Sequence, residues 1–99
     1  MKNIIITNCN VTEDKEFDCV SVELTITGPD MTSKVLENII ERVDNFFDAN
    51  GLSDVMTENI DTNAWSLDLI FNSFMIDKPS ETKESVLKYI KHLIEDNLV

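Results

Sequence analysis

The sequence predicts an α+β two-layer sandwich of ββαββα order, a four-stranded sheet with two helices on one face. Three observations carry that reading. Val20, Val22, Leu24 and Ile26 alternate with Ser21, Glu23 and Thr25, the period of a strand with one buried face. Val35, Leu36, Ile39, Ile40, Val43, Phe46 and Phe47 are spaced instead at threes and fours, the period of a helix with one buried face. The strand–helix order then recurs. SVELTI (Ser21–Ile26) lies over SLDLIF (Ser66–Phe71), and VLENI (Val35–Ile39) over VLKYI (Val86–Ile90). The offset is 45 residues in the strands and 51 in the helices, so the second connection is the longer.

In chain order, Ile4 to Val11 reads as the first strand, bounded by Lys2 and the polar run Thr12–Lys15. Phe17 to Thr27 is the second, stopped by Gly28-Pro29. The first helix spans Asp30 to Gly51, with Asp30 as N-cap and glycine supplying the left-handed residue after its end. Val55 to Ile60 makes a short, polar third strand. Asp61-Thr62-Asn63 turns the chain into a strong fourth strand, Ala64 to Phe71, with Trp65, Leu67, Leu69 and Phe71 on one side. A loop from Asn72 to Lys78 carries Phe74, Met75 and Ile76. Ser80 caps a second helix to about Asn97, apolar along Val86, Leu87, Ile90, Leu93 and Ile94.

This order is a βαββαβ sandwich with its last strand moved to the front, a circularly permuted ferredoxin-like arrangement. Strands 2 and 4 are then expected at the centre, parallel to one another, with strands 1 and 3 at the edges and one sheet face open. Pairing Ile6 with Val22 and Ile4 with Leu24 keeps all four on the helix side and sets Cys9 opposite Cys19 on the open face.

The 99 residues, 42% of them apolar, suit one domain with a single modest core. No run approaches the roughly 18 apolar residues of a membrane span, and the apolar part of the first ten residues is too short for a signal peptide. Two cysteines are too few for a disulfide scaffold or a zinc site. A cytoplasmic setting is expected, with both thiols reduced.

Charge is the extreme feature. Of the formal net charge of −11, residues 78–99 contribute nothing, with four acids against four lysines. The excess lies in residues 1–77, where 15 acids face Lys2, Lys15, Lys34 and Arg42. Such a surface repels nucleic acid and anionic membrane and attracts basic proteins or cations. On the first helix, Glu37, Glu41, Asp44 and Asp48 fall within roughly 60° of one another, a stripe roughly 16 Å long.

Candidates for chemistry are few. Glu23 and Asp68 occupy equivalent positions on strands 2 and 4 and are expected side by side on the open face. Two carboxylates there could split their pKa values or bind a metal, but no third acid, histidine or glycine-rich loop completes a site. His92, the only histidine, falls on an outer helix face with Lys88 and Glu95 and has no base or orienting carboxylate in evidence. Trp65 reads as a core residue at a strand start. Four-stranded RNA-binding sheets stack bases on aromatics at the centre; here those places hold Ser21, Glu23, Ser66 and Asp68. Ile5, Phe17, Cys19, Ile70 and Phe74 fall outside the alternation as a candidate apolar patch.

The function expected from these residues is a small acidic binding protein or inhibitor. It would occupy a basic groove of a nuclease or nucleic-acid-binding partner, in the manner of immunity, anti-defence or nucleic-acid-mimic proteins of bacteria and phages. Glu37, Glu41, Asp44, Asp48, Glu23 and Asp68 are its candidate partner-binding residues. No catalytic residue, metal or cofactor is expected. The alternative is a homo-oligomerising accessory module with the open sheet face as its self-contact, where Glu23 and Asp68 would meet like charges; pairing through the edge of strand 1 or 3 is the other route.

Overall fold

A computed structural model describes residues 3–99 and has the expected element order. Strand β1 covers Ile5–Asp14 and β2 Cys19–Thr27; helix α1 covers Ser33–Phe47, continued by a 3-10 turn Asp48–Asn50. Strand β3 covers Leu52–Asp61 and β4 Ala64–Asn72; a 3-10 turn Ser73–Met75 leads to α2, Pro79–Glu95. Lys2, expected to bound the first strand, lies outside the described residues.

The sheet order is β1-β2-β4-β3, with β2 and β4 central and β1 and β3 at the edges. All three pairings are antiparallel, so the expectation that the central strands run parallel is corrected. Helix α1 carries the chain from β2 past one strand position to β3, which makes β2 and β3 co-directional. The turn at Thr62-Asn63 then lays β4 between them, antiparallel to both.

Both helices cover one face. Val22, Leu24, Ile26, Leu67, Leu69 and Phe71 from the central strands pack with Val35, Leu36, Ile39, Val43 and Phe47 of α1 and Val86, Ile90, Leu93 and Ile94 of α2 in one core cluster. Each such fully buried side chain contributes about 1.5–3 kcal/mol. Met31, which no periodicity singled out, is fully buried too, placed by a turn in which its N–H donates to Gly28 O at 3.0 Å. Phe46 is half exposed and stacks on Tyr89 at 3.9 Å, while Phe47 meets Phe71 and Tyr89 edge-on. These rings tie the end of α1 to α2 and β4.

Several local expectations are corrected. Thr32, not Asp30, caps α1: its Oγ1 accepts from the Val35 N–H at 3.3 Å. The Asp30 carboxylate accepts the Asn3 N–H instead. Gly51 does take the left-handed conformation, φ 91°, but after the 3-10 turn. Helix α2 starts at Pro79, whose missing N–H costs nothing in the first turn, and its cap position is Lys78, not Ser80. Strand β3 is ten residues long and exposed beyond Leu52 save half-buried Val55, held by its ladder to β4 despite its polarity.

A further correction concerns register. Ile6 pairs with Ile26, and Val11, not Ile6, pairs with Val22. The hairpin closes at Asp14, whose carboxylate accepts the N–H groups of Glu16 and Phe17, so β1 continues through the polar run expected to end it. A register shift between Thr7 and Asn10, with Asn8 at φ 52°, absorbs one residue and reverses the alternation. Ile4 and Ile6 before it, and Cys9 and Val11 after it, therefore all pack on the helix side. Cys9 lies under the helices while Cys19, paired with Asp14, lies on the open face; both are free thiols, and no cross-strand pair exists.

Candidate functional site

Two acidic surfaces emerge, on opposite sides of the molecule. The first is the open sheet face. The side chains between Val20, Val22, Leu24 and Ile26 point away from the helices, and the register arranges them in rows. Glu23 is directly opposite Asp68, with Asn10 beyond Glu23 and Met56 beyond Asp68. One row over stand Thr7, Thr25, Ser66 and Glu58; on the other side stand Thr12, Ser21, Ile70 and Asp54. Of the strand acids, Asp14, Glu23, Asp54, Glu58, Asp61 and Asp68 fall on this face and Glu13, opposite Val20, on the other; the four strands carry no lysine, arginine or histidine. Serine and carboxylate stand at the centre where an RNA-binding sheet has aromatics, as expected.

The Glu23–Asp68 pair sits on the internal repeat. A residue of β2 pairs with its counterpart in β4, so the two halves meet about an approximate two-fold axis at this point. Glu23 is exposed. Asp68 is half-buried, and its Oδ1 is shielded from solvent without a hydrogen-bond partner. Burial, and secondarily the Glu23 charge, push the Asp68 carboxyl above its ordinary range. A shallow depression beside the pair is lined by Glu23, Met56, Glu58, Ser66 and Asp68. Among the described residues no three metal-ligating side chains converge, here or elsewhere.

The second surface is the stripe on α1. Glu37, Glu41 and Asp44 lie on the helix and Asp48 begins the 3-10 turn, all four exposed. The structure thus assembles four of the six sequence-predicted residues on one side and Glu23 with Asp68 on the other. The helix dipole opposes this arrangement: α1 has no acid in its first turn and no base in its last, where Asp44 stands with Asp48 just beyond. Acids near a helix C-terminus each cost about 0.3–1 kcal/mol.

Ion pairing leaves both surfaces uncompensated. Among the described residues two pairs form, Lys78–Glu81 at 3.6 Å and His92 Nδ1–Asp96 Oδ2 at 2.7 Å, both in the α2 segment. The second corrects the reading of His92 as lacking a carboxylate; Asp96, one helical turn on, was legible as an i,i+4 partner. Trp65 packs half-buried against the core, as expected, with its Nε1 unpartnered.

The expected apolar patch partly assembles. Cys19 and Ile70 lie at one end of the open face. Phe17 and Phe74, 73% and 81% exposed, flank that end on loops joined by the Ser73 N–H donating to Asp18 O at 2.9 Å. Ile5 is at the opposite end of β1, opposite Thr27, and does not join them. Comparison of the chain with protein-family models, curated proteins and solved structures finds no match.

Proposed function

We propose that the chain is an acidic binding protein that occupies a basic groove of a nuclease or nucleic-acid-binding partner, acting by contact and not by catalysis. One observation supports this most. Every acid in the described residues up to Asp77 lacks a cation within ion-pairing distance, and this includes the whole α1 stripe. A helix shaped only for its own stability places acids in its first turn and cations in its last. Here the unfavourable placement puts Glu37, Glu41, Asp44 and Asp48 in a row at roughly 5–6 Å intervals, similar to phosphates along a nucleic-acid strand. A groove that holds nucleic acid would hold such a row, and the field would speed encounter in a salt-dependent way. We place this activity in the cytoplasm, where Cys9 and Cys19 stay reduced; no described helix is long and apolar enough to cross a membrane.

The test begins with proteins from host extract retained on the immobilised chain at low salt. The expected partner binds or cleaves nucleic acid, and added chain blocks that activity. Glu41→Gln with Asp44→Asn should slow association and flatten its salt dependence while leaving stability equal or slightly higher. A retained partner that keeps its nucleic-acid binding in excess chain refutes the proposal. So does a double variant with unchanged rate and salt slope.

A further inference from the structure

The sheet ends in two unlike edges. Strand β1 is broken in its middle by the register shift between Thr7 and Asn10, and a strand kinked there offers no continuous row of backbone groups. Strand β3 is irregular only towards its ends, between Leu52 and Asp54 and between Asn59 and Asp61. Over residues 54–59 it keeps regular register with β4, and all but Val55 are exposed. The Val55 N–H donates to Asp54 Oδ1 at 2.9 Å, so it faces away from β4. The alternation of an antiparallel strand turns the backbone groups of Thr57 and Asn59 outward with it. Free edges are commonly blunted by lysine, proline or a bulge within the exposed run. This run has none of these. It sets Asp54 and Glu58 on the open face on either side of Met56, opposite Ile70, Ser66 and Asp68.

We infer that the edge of β3 accepts an extended basic segment of a partner protein as a fifth strand, two cations set against Asp54 and Glu58 and an apolar residue between them against Met56. Charge selects this occupant. A second copy centred on Met56 sets Asp54 of each chain opposite Glu58 of the other, and directly opposed like charges destabilise a strand pair. A nucleic-acid strand meets the same acids. A strand spelling cation-x-apolar-x-cation turns both repulsions into attractions, while main-chain bonds supply affinity and alternate side chains supply choice. The site is distinct from the α1 stripe and shares with the proposed function only the expectation of a basic partner.

The probe is the peptide acetyl-Thr-Lys-Thr-Val-Thr-Lys-Thr-amide, whose palindromic pattern fits either strand direction. It is titrated to millimolar concentration into the isotope-labelled full chain and followed by amide shifts and amide exchange. Shifts and slowed exchange are expected along residues 54–59, concentrated at Val55, Thr57 and Asn59. Binding should weaken about fivefold in Asp54→Asn with Glu58→Gln, from two exposed charge pairs, and be unchanged in Glu41→Gln with Asp44→Asn. A peptide N-methylated at its middle threonines and valine should not bind. Absent shifts, shifts centred on α1 or β1, or equal binding of the N-methylated peptide each overturn the inference. None of these outcomes bears on whether the chain blocks a nucleic-acid-binding partner, so the two proposals fail separately.

Discussion

Neutralising Asp68 should stabilise the protein at neutral pH, because the fold places it opposite Glu23 with one oxygen shielded and unpartnered. Directly opposed side chains stand about 4.5–5.5 Å apart at Cβ, and two unit charges at that range repel by about 0.8 kcal/mol in a water-like dielectric. Glu23 is exposed, so the water-like value is the appropriate one, and salt lowers it further. A gain of about 0.5 kcal/mol corresponds to a rise in Tm of roughly 2–4 °C for a domain of this size. Asp68→Asn should gain more than Glu23→Gln, since it also removes the desolvated charge. The double variant should gain less than the sum, because either change alone ends the repulsion. The pH dependence has a definite sign. The folded-state pKa of Asp68 is raised, so its destabilising effect is present above that pKa and fades as pH falls towards the ordinary carboxylate range. Urea unfolding of wild type, both single variants and the double variant at pH 7 and pH 4, at low and high salt, measures every term. A loss of stability in Asp68→Asn, or additive single effects at pH 7, would refute the reasoning.

Other perturbations separate the corrected local features from the expected ones. Thr32→Ala should cost about 1 kcal/mol as loss of the α1 cap, and more than Asp30→Ala, measured by thermal unfolding. Cys9 should alkylate more slowly than a free thiol at pH 8, because burial pushes its thiol up against the opposing pull of Lys83 and Lys91, and mild oxidation should give no Cys9–Cys19 disulfide; peptide mass mapping reads both. Gly51→Ala should destabilise by more than 1 kcal/mol, since its φ of 91° disfavours a side chain and the added carbon would stand 2.6 Å from Met75 Cβ.

The fold was legible where periodicity was strong. Strands β2 and β4 and the apolar faces of α1 and α2 follow from spacing alone, and equivalence of the two halves placed Glu23 beside Asp68. What escaped depended on single backbone geometries that composition does not announce. Asn8 at positive φ reverses the alternation of β1 without a glycine, so counting by twos put Cys9 on the wrong face and the register four residues out. Asp14 looked like the end of a strand because its side chain is polar, yet that carboxylate closes the hairpin turn. Met31 is core by virtue of the Gly28 turn, which no helical period reports. Eight exposed residues of β3 hold a strand because β4 supplies a full ladder, an instance of neighbours overriding propensity. The separation of the acidic surfaces onto two sides followed from the expected layers, with both helices on one sheet face and Glu23 and Asp68 on the other.

A sheet whose strands hold seven acids and no cation repels a second copy of itself while those acids are ionised. At the β3 edge Asp54, Glu58 and Asp61 set like charges against a second copy, a guard of charge and not of shape. As pH approaches the isoelectric point near 4.2 the net charge that keeps molecules apart falls to zero, while the outward backbone groups remain. Folded molecules should then adhere edge to edge, with light scattering rising before Trp65 fluorescence reports any loss of packing. Glu58→Lys, which keeps a charge on the edge at acid pH, should delay that turbidity, and molecules that unfold first and aggregate afterwards would show the edge is not its origin. The protein's working range would on this account have a floor set by colloidal chemistry, reached while its core is still intact.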